Sequence, residues 1–265
     1  MVNENVNSLL GKLDDFIDRF TKINSDHYRG LHSANAAEMA LEEYTEFILD
    51  VNHRQTWDEF IDLEMSEIKD RIANIRRESA HCVWTMEKYR AMTLISENDM
   101  HADYFKNIES CIEEELGKFV VDKDSRILLI GVGAFPMTPL LIAKKTGAKV
   151  VGIDIDEEAV EYAKKVINIL GKGLDTEVNS QGYAELTFTK EATHIIIAST
   201  IPEKVDILQD LYTLTNEDVV VSMRYGNGFK SLFNYPLTDT LKGTWNKVEN
   251  IYFDNNVFDV AMLKK

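Results

Sequence analysis

Residues 1–120 carry their apolar side chains at helical spacing. Leu9, Leu10, Leu13, Phe16, Ile17 and Phe20 form one stripe, and Met39, Leu41, Tyr44, Phe47, Ile48 and Leu49 form a second. A longer helical pattern runs from Trp57 to about Ile95 through Phe60, Ile61, Met65, Ile68, Ile72 and Ile75, with a break expected near Ser79. A further helix is expected from Tyr104 to Phe119, its end signalled by Gly117 and the VDKDS turn. Asn35 with Glu38, and Thr56 with Glu59, have the spacing of capping boxes and so suggest helix starts. No strand pattern occurs in this half.

The period changes after residue 120. Ile127–Ile130, Val150–Ile153, His194–Ala198 and Val219–Ser222 are short aliphatic runs, and helical stretches such as Glu157–Leu170, closed by Gly171, alternate with them. That alternation predicts a parallel sheet with right-handed crossovers. The last two runs, Lys247–Phe253 and Val257–Leu263, are separated only by Asp254-Asn255-Asn256, which predicts a hairpin and one antiparallel strand. A mostly parallel sheet ending in such a hairpin resembles the Rossmann-like sheet of the S-adenosylmethionine-dependent methyltransferases. The expected organisation is α/β, with an all-α domain over 1–120 and a Rossmann-like domain over 121–265.

Charge narrows the partners. The formal net charge is −16 and the isoelectric point lies near 4.8, a field that repels phosphate backbones and argues against nucleic acid. No apolar run is long enough to span a bilayer, and MVNENVNSLL lacks the basic start of a signal peptide, so no membrane association is expected. Cys82 and Cys111 have neither metal-ligand nor redox spacing, which reads as reduced core thiols in a cytoplasmic protein. The six histidines, at 27, 32, 53, 81, 101 and 194, show no metal-site spacing, so no metal is expected. A homodimer is the default assembly.

The stretch RILLIGVGAFPMTPLLIAKKTGAKVVGIDID, from Arg126 to Asp156, carries the chemistry. It reads as strand, glycine turn, helix and second strand, with a carboxylate at the end. Gly131 and Gly133 shape the turn, and Asp154, 23 positions after Gly131, is close to the ~20 expected of an acid that accepts ribose hydroxyls. Pro136 stands where a dinucleotide turn has its third glycine, and no phosphate-binding GxxxxGK[ST] pattern occurs. The turn therefore favours S-adenosylmethionine, an adenosine without phosphate, over NAD, FAD or ATP. An ordinary strand-end turn without ligand is the plain alternative.

Further cofactor contacts are expected from Ile155 beside Asp154, from Phe135 and Pro136 as walls, from Gly182, Tyr183 and Ala184 near the adenine, and from Ala198 and Ser199 at the fourth strand's end. Phe135 and Pro136 serve equally as core residues, and the 182–184 segment as a solvent loop. Asp156 suits the N-cap of the next helix. Arg224 and Tyr225 end the fifth strand, where an arginine can hold a substrate carboxylate or pair with an acid of this acidic chain.

Several segments occur in the order seen in the nicotianamine synthase family. IGVGAFPMTPLLIA resembles its glycine turn, GIDIDEEAVEYAKKVINILG the segment after it, IIIASTIPEKVDIL the passage beyond the fourth strand, and VSMRYGNGFKSLFNYPL the strand and loop that lead to a "YP" element; NNVFDVAMLK also fits. The likeness covers Arg126–Lys265 and is nearest to the bacterial branch that makes opine metallophores of the staphylopine type. The resemblance implies transfer of the 3-amino-3-carboxypropyl arm of S-adenosylmethionine to an amine, with 5′-methylthioadenosine leaving. The implied acceptor is the α-amine of histidine in its D form. It also implies a glutamate base on an N-terminal helix, assisted by a tyrosine. Glu87 in WTMEKYRAM and Tyr104 in HADYFKN match those roles, at a spacing shorter than the family's. A small-molecule methyltransferase and a non-catalytic S-adenosylmethionine sensor are the alternatives that the fold leaves open.

Overall fold

The computed structural model describes residues 4–25, 31–61, 65–97, 112–117, 121–237 and 245–265. Helices α1 (Glu4–Ser25), α2 (Leu31–Leu49), α3 (Val51–Ile61) and α4 (Met65–Glu97) form the N-terminal layer. Leu9, Leu13, Phe16, Ile17 and Phe20 face Leu41, Tyr44, Phe47, Ile48 and Ile75, as the stripes predict, with Ala40 beside them, and all are buried; Met39, expected in the second stripe, is instead 61% exposed. Phe16, Phe20, Tyr44 and Phe47 meet with ring centres 5.0–6.1 Å apart.

Three local expectations are corrected. α4 runs unbroken through Ser79, which is fully buried and turns its hydroxyl back to the Arg76 carbonyl at 3.2 Å. Thr56 lies inside α3, where its hydroxyl donates to the Asn52 carbonyl at 3.0 Å; the cap is Asp50, which accepts from the N–H groups of Asn52 and His53. Asn35 likewise lies within α2 and not at its start. Ser79 and Thr56 each satisfy a local backbone carbonyl with a hydroxyl, without ending the helix.

Helical residues 112–117 (α5) precede the sheet, and Tyr104 and Cys111 lie outside the described residues. The sheet elements then alternate: β1 (Arg126–Ile130), α6 (Met137–Thr146), β2 (Lys149–Ile153), α7 (Glu157–Leu170), β3 (Thr176–Asn179), α8 (Phe188–Glu191), β4 (His194–Ile197), α9 (Lys204–Leu214) and β5 (Val220–Tyr225). A 3₁₀ turn at Gly228–Leu232 leads to the hairpin β6 (Asn246–Ile251) and β7 (Asp259–Lys264). The strand order is β3-β2-β1-β4-β5-β7-β6. β1 to β5 are parallel, and β7, paired with both β5 and β6, is the antiparallel strand.

Alternation along the strands builds two cores. Ile127 and Leu129 pack with α6 and α7, while Leu128 and Ile130 pack with α9 on the opposite face. The cores also cross residue 120. Phe229, Leu232 and Phe233 belong to the N-terminal helical cluster, and Ala91 and Leu94 of α4 belong to the sheet cluster. Cys82 is fully buried, and burial pushes its thiol up to about 12, so it is an inert core residue.

The hairpin is tied to the loop after β5 by a buried ion pair. Lys230 Nζ donates to Asp259 Oδ1 and to the Phe253 carbonyl at 2.6 Å, and the Phe253 N–H donates to the same Asp259 oxygen at 3.0 Å. Asp259 is 2% exposed. Lys230→Met leaves that carboxylate buried without its cation and is expected to cost about 3–5 kcal/mol, read as a lower urea midpoint.

Candidate active site

The order in which strands are added reverses between β1 and β4, so a crevice opens outside their carboxyl ends. The turn after β1 forms one wall. Gly131 and Gly133 have φ of 83° and 67°, which a residue with a side chain rarely adopts. The N–H groups of Gly131 and Val132 both donate to the Ile153 carbonyl, at 2.9 and 3.2 Å, and hold the turn against the end of β2. Asp154 follows there. One of its oxygens accepts from the Gly133 N–H at 2.8 Å and the other from the Asp156 N–H at 3.0 Å. Each oxygen keeps a lone pair, as a ribose-binding carboxylate requires. Ile155 beside it is 97% exposed, an apolar platform left open to solvent.

Helix α4 crosses these strand tips. Near its N-terminal end, Arg76 reaches the Ser231 carbonyl beyond β5. Further on, the Trp84 indole N–H donates to Asp156 Oδ2, and Lys88 bridges Asp156 at 3.1 Å and Glu158 at 2.6 Å. The Lys88 ammonium also lies 3.5 Å from the centre of the Trp84 ring. Asp156 meanwhile caps α7, accepting from the N–H groups of Glu158 and Ala159 at 3.0 and 3.2 Å, as its position in the sequence predicts.

Between Trp84 and Lys88, α4 presents Glu87 to the turn. Its Oε2 accepts the Ala134 N–H at 3.3 Å. A Cβ placed on Gly133 would stand 2.1 Å from that oxygen, so only glycine lets the carboxylate approach. Burial pushes Glu87 up to about 8; the Asp154 charge adds to the rise, while the Ala134 N–H and Arg90 oppose it. The structure thus brings Gly131, Gly133, Asp154, Ile155 and Glu87 together.

The other expected residues divide. Ala198 lies at the β4 tip, its Cβ 3.0 Å from the position a Cβ on Gly131 would take. The Ser199 carbonyl accepts from the Tyr235 N–H at 3.2 Å. Gly182 and Ala184 are exposed in the loop after β3, where the Tyr183 hydroxyl donates to Asp210 at 2.7 Å. Phe135 and Pro136 are buried, Phe135 within the core on the α6 and α7 side.

Arg224 and Tyr225 differ most from the expectation. The carboxylate Arg224 holds belongs to the chain itself: its Nε and Nη2 donate to Glu115 Oε2 at 3.1 and 2.8 Å, and Ser222 donates to the other Glu115 oxygen. Glu115 is 1% exposed, so this buried pair occupies the guanidinium edge meant for a substrate. Tyr225 points to the opposite face and is buried in the core there. Alternation along β5 sends the two neighbours to opposite sides. Among the described residues no cluster of three or more His, Cys, Asp or Glu side chains is placed to hold a metal ion. No described helix is long and apolar enough to cross a membrane.

Trp84, Lys88, Arg76, Lys204 and Tyr235 were not singled out by sequence. The signals were segments already quoted for other reasons: WTMEKYRAM contains Trp84 and Lys88, IIIASTIPEKVDIL contains Lys204, and the "YP" element contains Tyr235.

A seven-stranded Rossmann-like sheet with this turn, this acid and a helical cover defines a fold of the S-adenosylmethionine-dependent methyltransferase type. A family model described as RNA methyltransferase matches residues 83–199. The chain is 31% identical over 191 residues to L-histidine 2-aminobutanoyltransferase of Pseudomonas aeruginosa strain PAO1, covering 72% of each protein. It is 32% identical over 163 residues to the enzyme of that name from strain UCBPP-PA14, covering 62% of each. A crystal structure of MtNAS in complex with MTA and tNA has the same fold, with a TM-score of 0.80 over 97% of each chain and 16% identity. The chain belongs to the L-histidine 2-aminobutanoyltransferase family.

The raised value at Glu87 has a measurable consequence. The folded protein holds a proton there at pH values where an unfolded glutamate, near 4.5, has lost it. Stability is therefore expected to fall as pH rises from about 4.5 through about 8, because the native state binds more protons across that window. Glu87→Gln removes this contribution, so the variant's urea midpoint is expected to vary less with pH than the parent's.

Proposed function

We propose that this protein transfers the 3-amino-3-carboxypropyl arm of S-adenosylmethionine to the α-amine of histidine and releases 5′-methylthioadenosine. The observation that carries this reading is Glu87. A buried carboxylate stands on the helical cover against the cofactor turn, placed to take the proton that an attacking amine must lose, in a chain 31% identical to an L-histidine 2-aminobutanoyltransferase. S-adenosylmethionine fits the turn: Asp154 has free lone pairs for the ribose hydroxyls, Ile155 offers a face to the adenine, and the two glycines open the backbone.

Bound there, S-adenosylmethionine supplies a sulfonium leaving group and an electrophilic methylene beside it. The amine nitrogen forms the new C–N bond, the C–S bond breaks with its electrons to sulfur, and one proton must leave the nitrogen. Glu87 takes that proton. In the empty site its value of about 8 keeps it mostly protonated at neutral pH. Ligand positive charge beside it lowers that value and frees the base. α4 contributes by holding reactants in line and excluding water. A cytoplasmic setting agrees with reduced, buried Cys82.

The curated relatives are named for the L isomer of histidine, and the staphylopine-type resemblance implies the D isomer, so both belong in the assay. Incubation with labelled S-adenosylmethionine and either isomer is expected to release methylthioadenosine. Glu87→Gln is expected to lower kcat by about 10²–10⁴-fold. Release of S-adenosylhomocysteine would establish methyl transfer instead, the activity suggested by the match to the RNA methyltransferase model over residues 83–199.

A further inference from the structure

The end of the crevice away from Asp154 is built from two cations and one aromatic ring. Arg76 leaves α4 about 16 Å along the helix axis before Glu87. Its Nε donates to the Ser231 carbonyl, and its guanidinium carbon lies 5.5 Å from the centre of the Tyr235 ring. Lys204, the first residue of α9, is 1% exposed. Its ammonium donates to the carbonyls of Ser199, at 2.6 Å, and Ile201, and lies 5.6 Å from the same ring centre. Tyr235 is tied to both neighbouring strand tips: its N–H donates to Ser199 after β4, and its carbonyl accepts from Gly226 after β5 at 3.0 Å. The cations therefore stand over the carboxyl ends of β4 and β5, the side of the switch point opposite to Asp154.

Neither cation forms an ion pair among the described residues, in a chain with 45 acidic and 29 basic side chains. Among the described residues neither cation has a carboxylate within hydrogen-bonding distance. Among those residues both donate only to backbone carbonyls, and the terminal nitrogens of Arg76 meet no acceptor. Glu203 acts on Lys204 only through space. Burial, and after it the Arg76 charge, pull Lys204 down to about 7, and burial also lowers Arg76. An anion placed here would offset both the desolvation and the mutual repulsion. Arg76 offers its planar fork, and Lys204, with two of its three N–H groups engaged, keeps one.

We propose that Arg76 and Lys204, flanking Tyr235, form a subsite for the α-carboxylate of an amino-acid ligand. Both reactants of the proposed transfer carry such a group: the arm of the donor and the acceptor histidine. The subsite rests on that reading of the crevice. It explains how an acid-rich protein orients an anionic group: the acidic end takes the ribose and the cationic chemistry, and the basic end takes the carboxylate.

The test removes each carboxylate in turn and reads binding without turnover. Calorimetry compares S-adenosylmethionine with its decarboxylated analogue, and histidine with histamine in the presence of methylthioadenosine. The parent protein is expected to bind the carboxylate form of one pair roughly tenfold tighter or more. Arg76→Gln is expected to erase that ratio for the same pair and spare the other, while Arg76→Lys keeps part of it. Loss in the donor pair assigns the subsite to the transferred arm; loss in the histidine pair assigns it to the acceptor. A parent with no preference in either pair overturns the proposal. So does a folded Arg76→Gln variant that retains the parent's ratios. Failure of the transferase reading shows separately, as S-adenosylhomocysteine released by the parent.

Discussion

The site depends on one carboxylate that serves two elements. Asp156 caps α7 with one oxygen and receives Trp84 and Lys88 of α4 with the other. Trp84 and Lys88 are four residues apart and share a face of the helix. Once both are docked, the rotation of α4 about its axis is set, and Glu87 must face the glycine turn. The link continues through the backbone, because the N–H of Asp156 donates to Asp154. Helix cap, interlayer clasp, cofactor-side acid and candidate base are thus positioned by a single short path.

That path orders the electrostatics of the crevice. At one end the Asp154 charge adds to the rise at Glu87, and the two carboxylates take one turn N–H each, Gly133 to Asp154 and Ala134 to Glu87. At the other end Arg76 and Lys204 lie on one tyrosine ring without an acidic partner among the described residues. α4 spans the interval, anchored to the loop after β5 by Arg76 and to α7 by Trp84 and Lys88. A crevice negative at one end and positive at the other suits a ligand pair that carries a sulfonium, amines and carboxylates. By contrast Arg224, which sequence position alone suggests for carboxylate binding, is neutralised by buried Glu115 from α5.

Much of the fold was legible because it is periodic. The stripes of α1 and α2, the alternation of β1, the cap at Asp156 and the closing hairpin each depend on residues close in sequence. The errors had local causes as well. Thr56 and Asn35 have capping chemistry, yet both lie inside their helices, and α3 and α4 keep Thr56 and Ser79 because each hydroxyl finds a carbonyl about one turn back. The turn Gly131–Gly133 with Asp154 was legible because only 23 residues separate the partners. Glu87 came from family resemblance and not from any local pattern.

Sequence by itself determined the α/β alternation, the glycine turn, the acid that follows β2 and the helical character of the N-terminal layer, all set by spacing within a few turns or strands. Tertiary structure alone decided which charges meet. Arg224 with Glu115, Lys88 with Asp156 and Arg76 beside Lys204 are each brought together from 68 or more positions apart. Whether a charged side chain becomes a structural pair or an open binding group depends on what the folded chain places within about 4 Å of it, and short-range patterning does not encode that distance.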